Sequence, residues 1–182
     1  MNRLKPLCVQ FRETIRSDGS VHEERLAFCH EVSSWVSLAH CKACGACAHL
    51  SGEAEPVLVC RVAPAGSSTP PDSIRSHLAR SVWCIEESAP ARFACIMPMS
   101  QADAIVVDAD RHAVGILSRQ RARRAQGDTT ARMLMEPAVV ALFDGAPLER
   151  ARELLATRGV RTLPVLSAGR VVGCVGSGER RR

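Results

Sequence analysis

Apolar positions along this chain come in short runs separated by Gly, Pro and polar clusters, a pattern that favours short strands over long helices. "DAIVVDADRHAVGILS" (103–118) reads as an apolar strand, a polar turn and a second apolar strand. "RTLPVLSAGRVVGCVG" (161–176) reads the same way, and a constant offset of 58 aligns Val107 with Val165, Val114 with Val172 and Gly115 with Gly173. Upstream, "SAPARFACIM" (88–97) parallels "GAPLERAREL" (145–154), with Pro90 and Pro147 each suited to a first helical turn. In the second copy Leu148, Ala151, Leu154 and Leu155 share one helical face, and Gly159 suits the stop. The pattern predicts two β-α-β-β units. A single unit of about 50–60 residues is too small for a robust core, and pairing two solves that. Residues 74–182 are therefore expected to fold by themselves, with copy one over about 74–128 and copy two over about 129–182.

The N-terminal part has a different pattern. "LCVQFRETIRSDGSVHEERLAF" (7–28) has extended stretches on both sides of Ser17-Asp18-Gly19-Ser20, and Asp-Gly tolerates the positive φ of a tight hairpin. "PVLVC" (56–60) reads as a short strand that delivers Cys60 at its end. "RVAPAGSSTPPDS" (61–73), rich in Pro, Gly and Ser and without periodicity, reads as a linker. The predicted architecture is α+β or α/β: a small, mostly β module over 1–60, a linker over 61–73, and the paired repeat.

Six of the nine cysteines precede the linker; the other three, at 84, 95 and 174, sit in apolar surroundings and suit core positions. "HCKACGACAHL" (40–50) spaces Cys41, Cys44 and Cys47 three apart. A bacterial iron–sulfur run would continue to a fourth cysteine where this chain has Ser51. A thioredoxin-like pair needs a strand just before it, and none is patterned there. Zinc fits better, because a Cys-x-x-Cys turn points two thiolates at one centre and two more ligands can arrive from elsewhere. Cys29, Cys41, Cys44 and Cys60 make a closed four-thiolate set that resembles a zinc ribbon or knuckle, without the second Cys-x-x-Cys of a regular ribbon. Cys47, Cys8, His30, His40 and His49 are further candidates. Such a site fixes a fold and performs no chemistry.

Composition narrows the function. A content of 46% hydrophobic and 24% charged residues is that of a globular chain, and no apolar run approaches the length of a bilayer span. The start has too short an apolar stretch for a signal peptide, so a cytoplasmic location without membrane attachment is expected. With no Tyr, four Phe and two Trp, recognition of nucleic acid by aromatic stacking is disfavoured. Residues 1–60 carry 6 basic and 7 acidic side chains and residues 61–182 carry 18 and 12; two arginine runs, 119–124 and 180–182, account for the basic excess. They read as solvated segments, or as a phosphate-binding rim.

Residues 130–176 resemble the CBS domain in the order of their parts: "TARMLMEPAVV", "APLERA", "GVRTLPVL" and "GRVVGCVG". Residues 81–121 resemble a weaker first copy, with a helix one residue shorter that meets Pro98. Together they resemble a tandem CBS pair, or Bateman module, here degenerate. The resemblance implies binding of adenine nucleotides (ATP, ADP or AMP) or S-adenosyl ligands between the copies, control of an attached or partner protein, and homodimers formed by stacking. It also implies a signature of Gly, two apolar residues, Ser or Thr, and Asp three further on. Copy one carries Gly115 and Ser118 but Arg121 at the carboxylate position; copy two carries Gly173 and Glu179 but Gly176 at the hydroxyl position. By this resemblance Val139, Val140, Leu163 and Pro164 line the base, while Ser118 and Glu179 supply the polar groups. Arg121, a donor only, would pair with phosphate and favour ATP or ADP over adenosine. A pair kept as a dimerising scaffold stands as the alternative.

No nucleophile–base pair with a positioning partner is patterned, so a regulatory or ligand-sensing protein is expected instead of an enzyme. Two rivals belong to other classes: a nucleic-acid-associated protein using the zinc module and the arginine runs, and a thiol redox sensor.

Overall fold

The computed structural model describes residues 3–7, 9–29, 34–51, 57–62, 73–79, 81–97, 103–137 and 140–176. The chain starts with β1 (Arg3–Leu7), β2 (Val9–Ile15), β3 (Val21–Cys29), β4 (Ser34–Ser37), a short helix α1 (Leu38–Ala43), β5 (Cys47–Ser51) and β6 (Val57–Val62). The expected hairpin joins β2 to β3. Gly19 takes φ 85°, and the Ser20 amide donates to the Asp18 carboxylate at 2.8 Å, closing the turn on itself.

Both repeats form as predicted in strand order. Copy one holds β7 (Ser81–Glu86), a 3-10 turn (Ala91–Ile96), β8 (Asp103–Val107) and β9 (Ala113–Ser118), followed by α2 (Arg119–Ala122). Copy two is led in by α3 (Ala131–Leu134) and holds β10 (Leu142–Phe143), α4 (Leu148–Arg158), β11 (Thr162–Ser167) and β12 (Arg170–Gly176). In each, the first strand runs parallel to the second and the second antiparallel to the third. α4 buries Ala151 and ends on Gly159 at φ 62°, the left-handed stop read from the sequence. The matching segment of copy one is only a 3-10 turn. Met97 leaves it extended at ψ 150°, as a residue before proline prefers.

The constant offset between the copies is corrected by the strand register. Gly115 pairs with Val106 and Gly173 with Val165, so the structural equivalent of Val165 is Val106 and the sequence alignment with Val107 slips by one. The cause is the turn. β11 and β12 close on Ala168 and Gly169, both at positive φ (49° and 78°), whereas β8 and β9 use a longer loop with Arg111 at φ 69°.

The lead-in segments are exchanged between copies. Ser73 bridges Pro147 of copy two, while Thr130 bridges Pro90 of copy one. Ile74 and Leu78 accordingly pack with Leu142, Ala151 and Leu163, and Ala131 packs with Ile85, Ala91 and Ala94. Each copy's core is completed by a segment that precedes the other. Cys84 and Cys174 share a further core cluster with Val82, Ile105 and Val171, as expected of small core thiols, and burial first of all pushes the Cys84 thiol up to about 12.

The division of the chain at 61–73 does not divide the sheets. β2 lies parallel to β7, giving one six-stranded sheet in the order β4-β3-β2-β7-β8-β9. Ile15 of β2 sits in the core of copy one with Ile85 and Val106. The linker residues 63–72 fall outside the described residues. The rest of the N-terminal part forms a separate three-stranded sheet, β1-β6-β5. The described strands of residues 1–60 are thus split between two sheets, and most of β2 is buried, as in a strand covered on both faces.

Candidate functional site

Strand alternation decides which residues reach the space between the copies. Asp103 opens β8 and stands in register with Ser118, the last residue of β9. Across from them, Val160, Arg161 and Thr162 enter β11. These positions line a cleft of about 560 Å³, completed by Ile116, Arg119, Arg123, Glu136 and Val140. The lining combines the apolar Ile116, Val140 and Val160 with two hydroxyls, three guanidinium groups and two carboxylates.

The polar groups are held locally. Ser118 caps α2: its hydroxyl accepts from the Arg121 amide at 3.3 Å. Arg119 donates to the Met97 carbonyl. Burial raises the Asp103 carboxyl above its ordinary value, and the Arg161 charge opposes this. This combination can receive a flat apolar ring, hydrogen-bond hydroxyls and neutralise an anion.

Of the residues assigned to the nucleotide, Ser118 and Val140 come together in this cleft. Leu163 does not: it is fully buried in the core of copy two, with Pro164 also buried beside it, and Thr162 takes the cleft-facing place. Arg121 points to Glu136 at 2.8 Å and to the Leu134 carbonyl at 3.2 Å, tying α2 to the lead-in of copy two. Val139 and Glu179 lie outside the described residues. Asp103, Arg161 and Thr162 are not among the residues singled out from sequence, whereas Arg119 and Arg123 belong to the 119–124 run read there as solvated or as a phosphate-binding rim. Asp103 and Arg161 could have been found from their shared place just before the aligned apolar strands; Arg119 and Arg123 could not be separated from their run.

A second crevice, of about 490 Å³, lies where the N-terminal strands meet the turns of both copies. Arg12 is its anchor. Its buried guanidinium binds Glu24 and donates to the Val171 carbonyl at 2.7 Å, and Glu24 also receives Arg111. Trp35 donates to Asp144 at 3.1 Å, and Arg75 stacks over Phe28 at 3.9 Å from the ring centre. The N-terminal strands are therefore fastened to both copies.

The cysteines of the N-terminal part gather at the other end of β3. Cys29 ends β3, Cys41 lies buried on α1, Cys44 caps that helix, and Cys47 opens β5 directly opposite Cys60 of β6. Burial first, then the nearby Cys60, Cys29, Cys47 and Cys44, pushes the Cys41 thiol up to about 11; burial and the neighbouring thiols also raise Cys60. The four cysteines chosen from sequence thus share one neighbourhood with Cys47. Among the described residues, no three Cys, His, Asp or Glu side chains already surround a common point as a bound metal requires, so the zinc-binding module expected from sequence is not shown. His40 and His49 are exposed, and Cys8 and His30 lie outside the described residues.

The paired-repeat architecture agrees with known proteins. Residues 131–178 match the family model for the CBS domain. The AcuB protein of Vibrio cholerae is 18% identical, with a TM-score of 0.52 over 57% of this chain and 83% of that one. CBSX2, solved in complex with AMP, is 19% identical with a TM-score of 0.51 over 58% and 90%. The CBS domain pair of protein MJ0100, solved with 5-methylthioadenosine and S-adenosyl-L-methionine, is 19% identical with a TM-score of 0.51 over 58% and 89%. The repeat therefore has the fold of a tandem CBS pair. Comparison with curated proteins gives no match. Among the described residues no helix is long and apolar enough to cross a membrane.

Proposed function

We propose that this chain is a regulatory, ligand-sensing protein, not an enzyme, and that the cleft between its CBS copies takes an adenine nucleotide. The observation that carries this reading is the convergence of Ser118 and Thr162 with Arg119, Arg123 and Arg161 beside the apolar Ile116, Val140 and Val160. Guanidinium groups suit phosphate, the hydroxyls and Asp103 suit ribose, and the apolar side chains suit a base. The AMP bound to CBSX2 and the S-adenosyl ligand bound to the MJ0100 pair support the ligand class. Regulation follows from the fastening of the N-terminal strands to both copies: a ligand that shifts one copy against the other shifts what Arg12 and Trp35 hold. The partner is a second copy of the chain, stacked through the CBS pair, together with the protein it regulates.

Isothermal titration with ATP, ADP, AMP and adenosine tests the reading. Saturable binding of a phosphorylated ligand at one site per chain, tighter than adenosine and weakened by salt, is expected. Absence of binding by all four, with S-adenosylmethionine also inert, would leave a dimerising scaffold.

A further inference from the structure

Among the described residues, the small sheet β1-β6-β5 packs on the large one through a small core. Its shared core with the large sheet consists of Val9, Ala27, Leu38, Cys41 and Leu58, flanked by Val36, Cys47, Leu50 and Cys60. A cluster this small, with an alanine and a cysteine among its five buried members, supplies few kcal/mol toward ordering three strands. Natural proteins in this position use a staple, either disulfides or a metal. The cysteines concentrated at this junction are free thiols.

The thiols come from separate elements. Cys29 belongs to the six-stranded sheet, Cys41 and Cys44 to α1 and its cap, and Cys47 and Cys60 to the three-stranded sheet. Cys41 to Cys47 is wound as successive turns, the Cys44 amide donating to the Cys41 carbonyl at 3.2 Å and the Cys47 amide to Cys44 at 3.1 Å. Cys47 and Cys60 face each other in register, both pack on the cluster that buries Cys41, and α1 lies against β3, which ends on Cys29, although the thiols do not already surround one point. Residues 3 to 31 positions apart in sequence have been brought to one junction, and all are soft ligands.

We infer that Cys29, Cys41 and Cys60, with a fourth thiol from Cys44 or Cys47, hold one zinc ion that ties the small sheet to the large one. Tetrahedral zinc takes four thiolates at about 2.3 Å, so one of the five thiols is left over. Metal capture draws the thiols in and releases their protons, and the binding energy becomes folding energy of the junction. Cys29 stands on the large sheet and Cys60 on the small one, so an ion held by both joins the sheets, and Cys41 is the most buried thiol of the five. Cys44 and Cys47 follow on one turn and compete for the last position. The site closes without an open coordination place, so it is structural.

The test uses the full chain, purified without chelator from zinc-supplemented cells. Elemental analysis is expected to find about one zinc per chain, and replacement by cobalt(II) to give the intense visible bands of tetrahedral thiolate coordination. Cys29→Ser, Cys41→Ser, Cys60→Ser and the double variant Cys44→Ser/Cys47→Ser should each lower zinc content at least about tenfold. One of the single variants Cys44→Ser and Cys47→Ser should keep it. Wild-type protein with reduced thiols, negligible zinc and no tetrahedral cobalt spectrum would overturn the site, whether or not the variants fold. So would an iron–sulfur absorption band, or full zinc retention by Cys29→Ser, Cys41→Ser or Cys60→Ser.

Discussion

Gly115 lies directly beneath Met135: a Cβ at this glycine would stand 2.5 Å from the Met135 sulfur and 2.9 Å from the Glu136 carbonyl oxygen. The glycine read from sequence as part of a nucleotide signature is, in the fold, the place where the lead-in of copy two crosses copy one. Ile116 and Glu136 exchange backbone hydrogen bonds at 3.1 and 2.8 Å beside it. Copy two repeats the relationship, with Gly173 beneath Leu78.

Gly115→Ala should therefore destabilise the protein by about 1–3 kcal/mol, the cost of overpacking a site whose nearest neighbours include backbone. Gly173→Ala should cost less, because the atoms met there, at 3.0 to 3.3 Å, all belong to the Leu78 side chain and can move. Thermal unfolding of the two variants checks the ranking; equal stability of Gly115→Ala and wild type would refute the crossing.

Glu24 predicts an acid-sensitive component of stability. Burial alone would raise its carboxyl, but hydrogen bonds and charge from Arg12 and Arg111 outweigh it and hold it below the ordinary value of 4.5. A depressed folded value means stability that is fully present above pH 4.5 and is lost as pH falls below it toward the folded value. Glu24→Gln should remove that dependence. Arg12→Ala, which leaves the Val171 carbonyl without its donor, should cost about 3 kcal/mol. Urea unfolding between pH 3 and 7, as a range of about four units, measures both.

Asp103 has the opposite sign. Its carboxyl is raised by burial, so the folded state holds its proton more tightly than the unfolded one and this group's contribution to stability grows as pH falls through the raised value toward 3.8. Asp103→Asn should be more stable than wild type at neutral pH, with the difference shrinking in acid. A variant less stable at neutral pH would refute this sign.

Phosphate recognition should follow the arginines that line the cleft. Arg161→Ala should weaken ATP binding about tenfold, the loss of one charge-assisted contact, and leave adenosine unchanged. Arg121→Asp should destabilise the α2–α3 contact, since it sets two carboxylates together where Arg121 now meets Glu136. Its effect on the ATP-to-adenosine ratio should be smaller than that of Arg161→Ala. Titration calorimetry on both variants distinguishes these roles.

Removing residues 1–72 should unfold the remainder or drive it to aggregate. It would strip β2 from the edge of β7 and take Ile15 out of the core of copy one. A soluble 73–182 fragment with a cooperative thermal transition close to that of the whole chain would show that the paired repeat stands alone.

The chain's local chemistry determined a large part of this fold. Alternating apolar runs, the Asp18-Gly19 turn, the Gly159 stop and the doubling of one pattern are short-range signals, and strand order in both copies follows from them. So does the clustering of thiols around "CKACGAC", because their spacing is itself the signal. Tertiary structure decided what no window of residues contains. The one-residue slip between copies arises from two turns of different length, visible only in the pairing of Val106 with Gly115 and Val165 with Gly173. The exchange of lead-in segments depends on which core Leu78 and Met135 fill, and apolar residues do not specify their partner. Thr162 in place of Leu163 at the cleft is set by which face of β11 the core claims. The joining of β2 to β7 across 65 intervening residues was hidden for the same reason: backbone hydrogen bonds carry no sequence label, and an apparent linker between two strands says nothing about whether they pair.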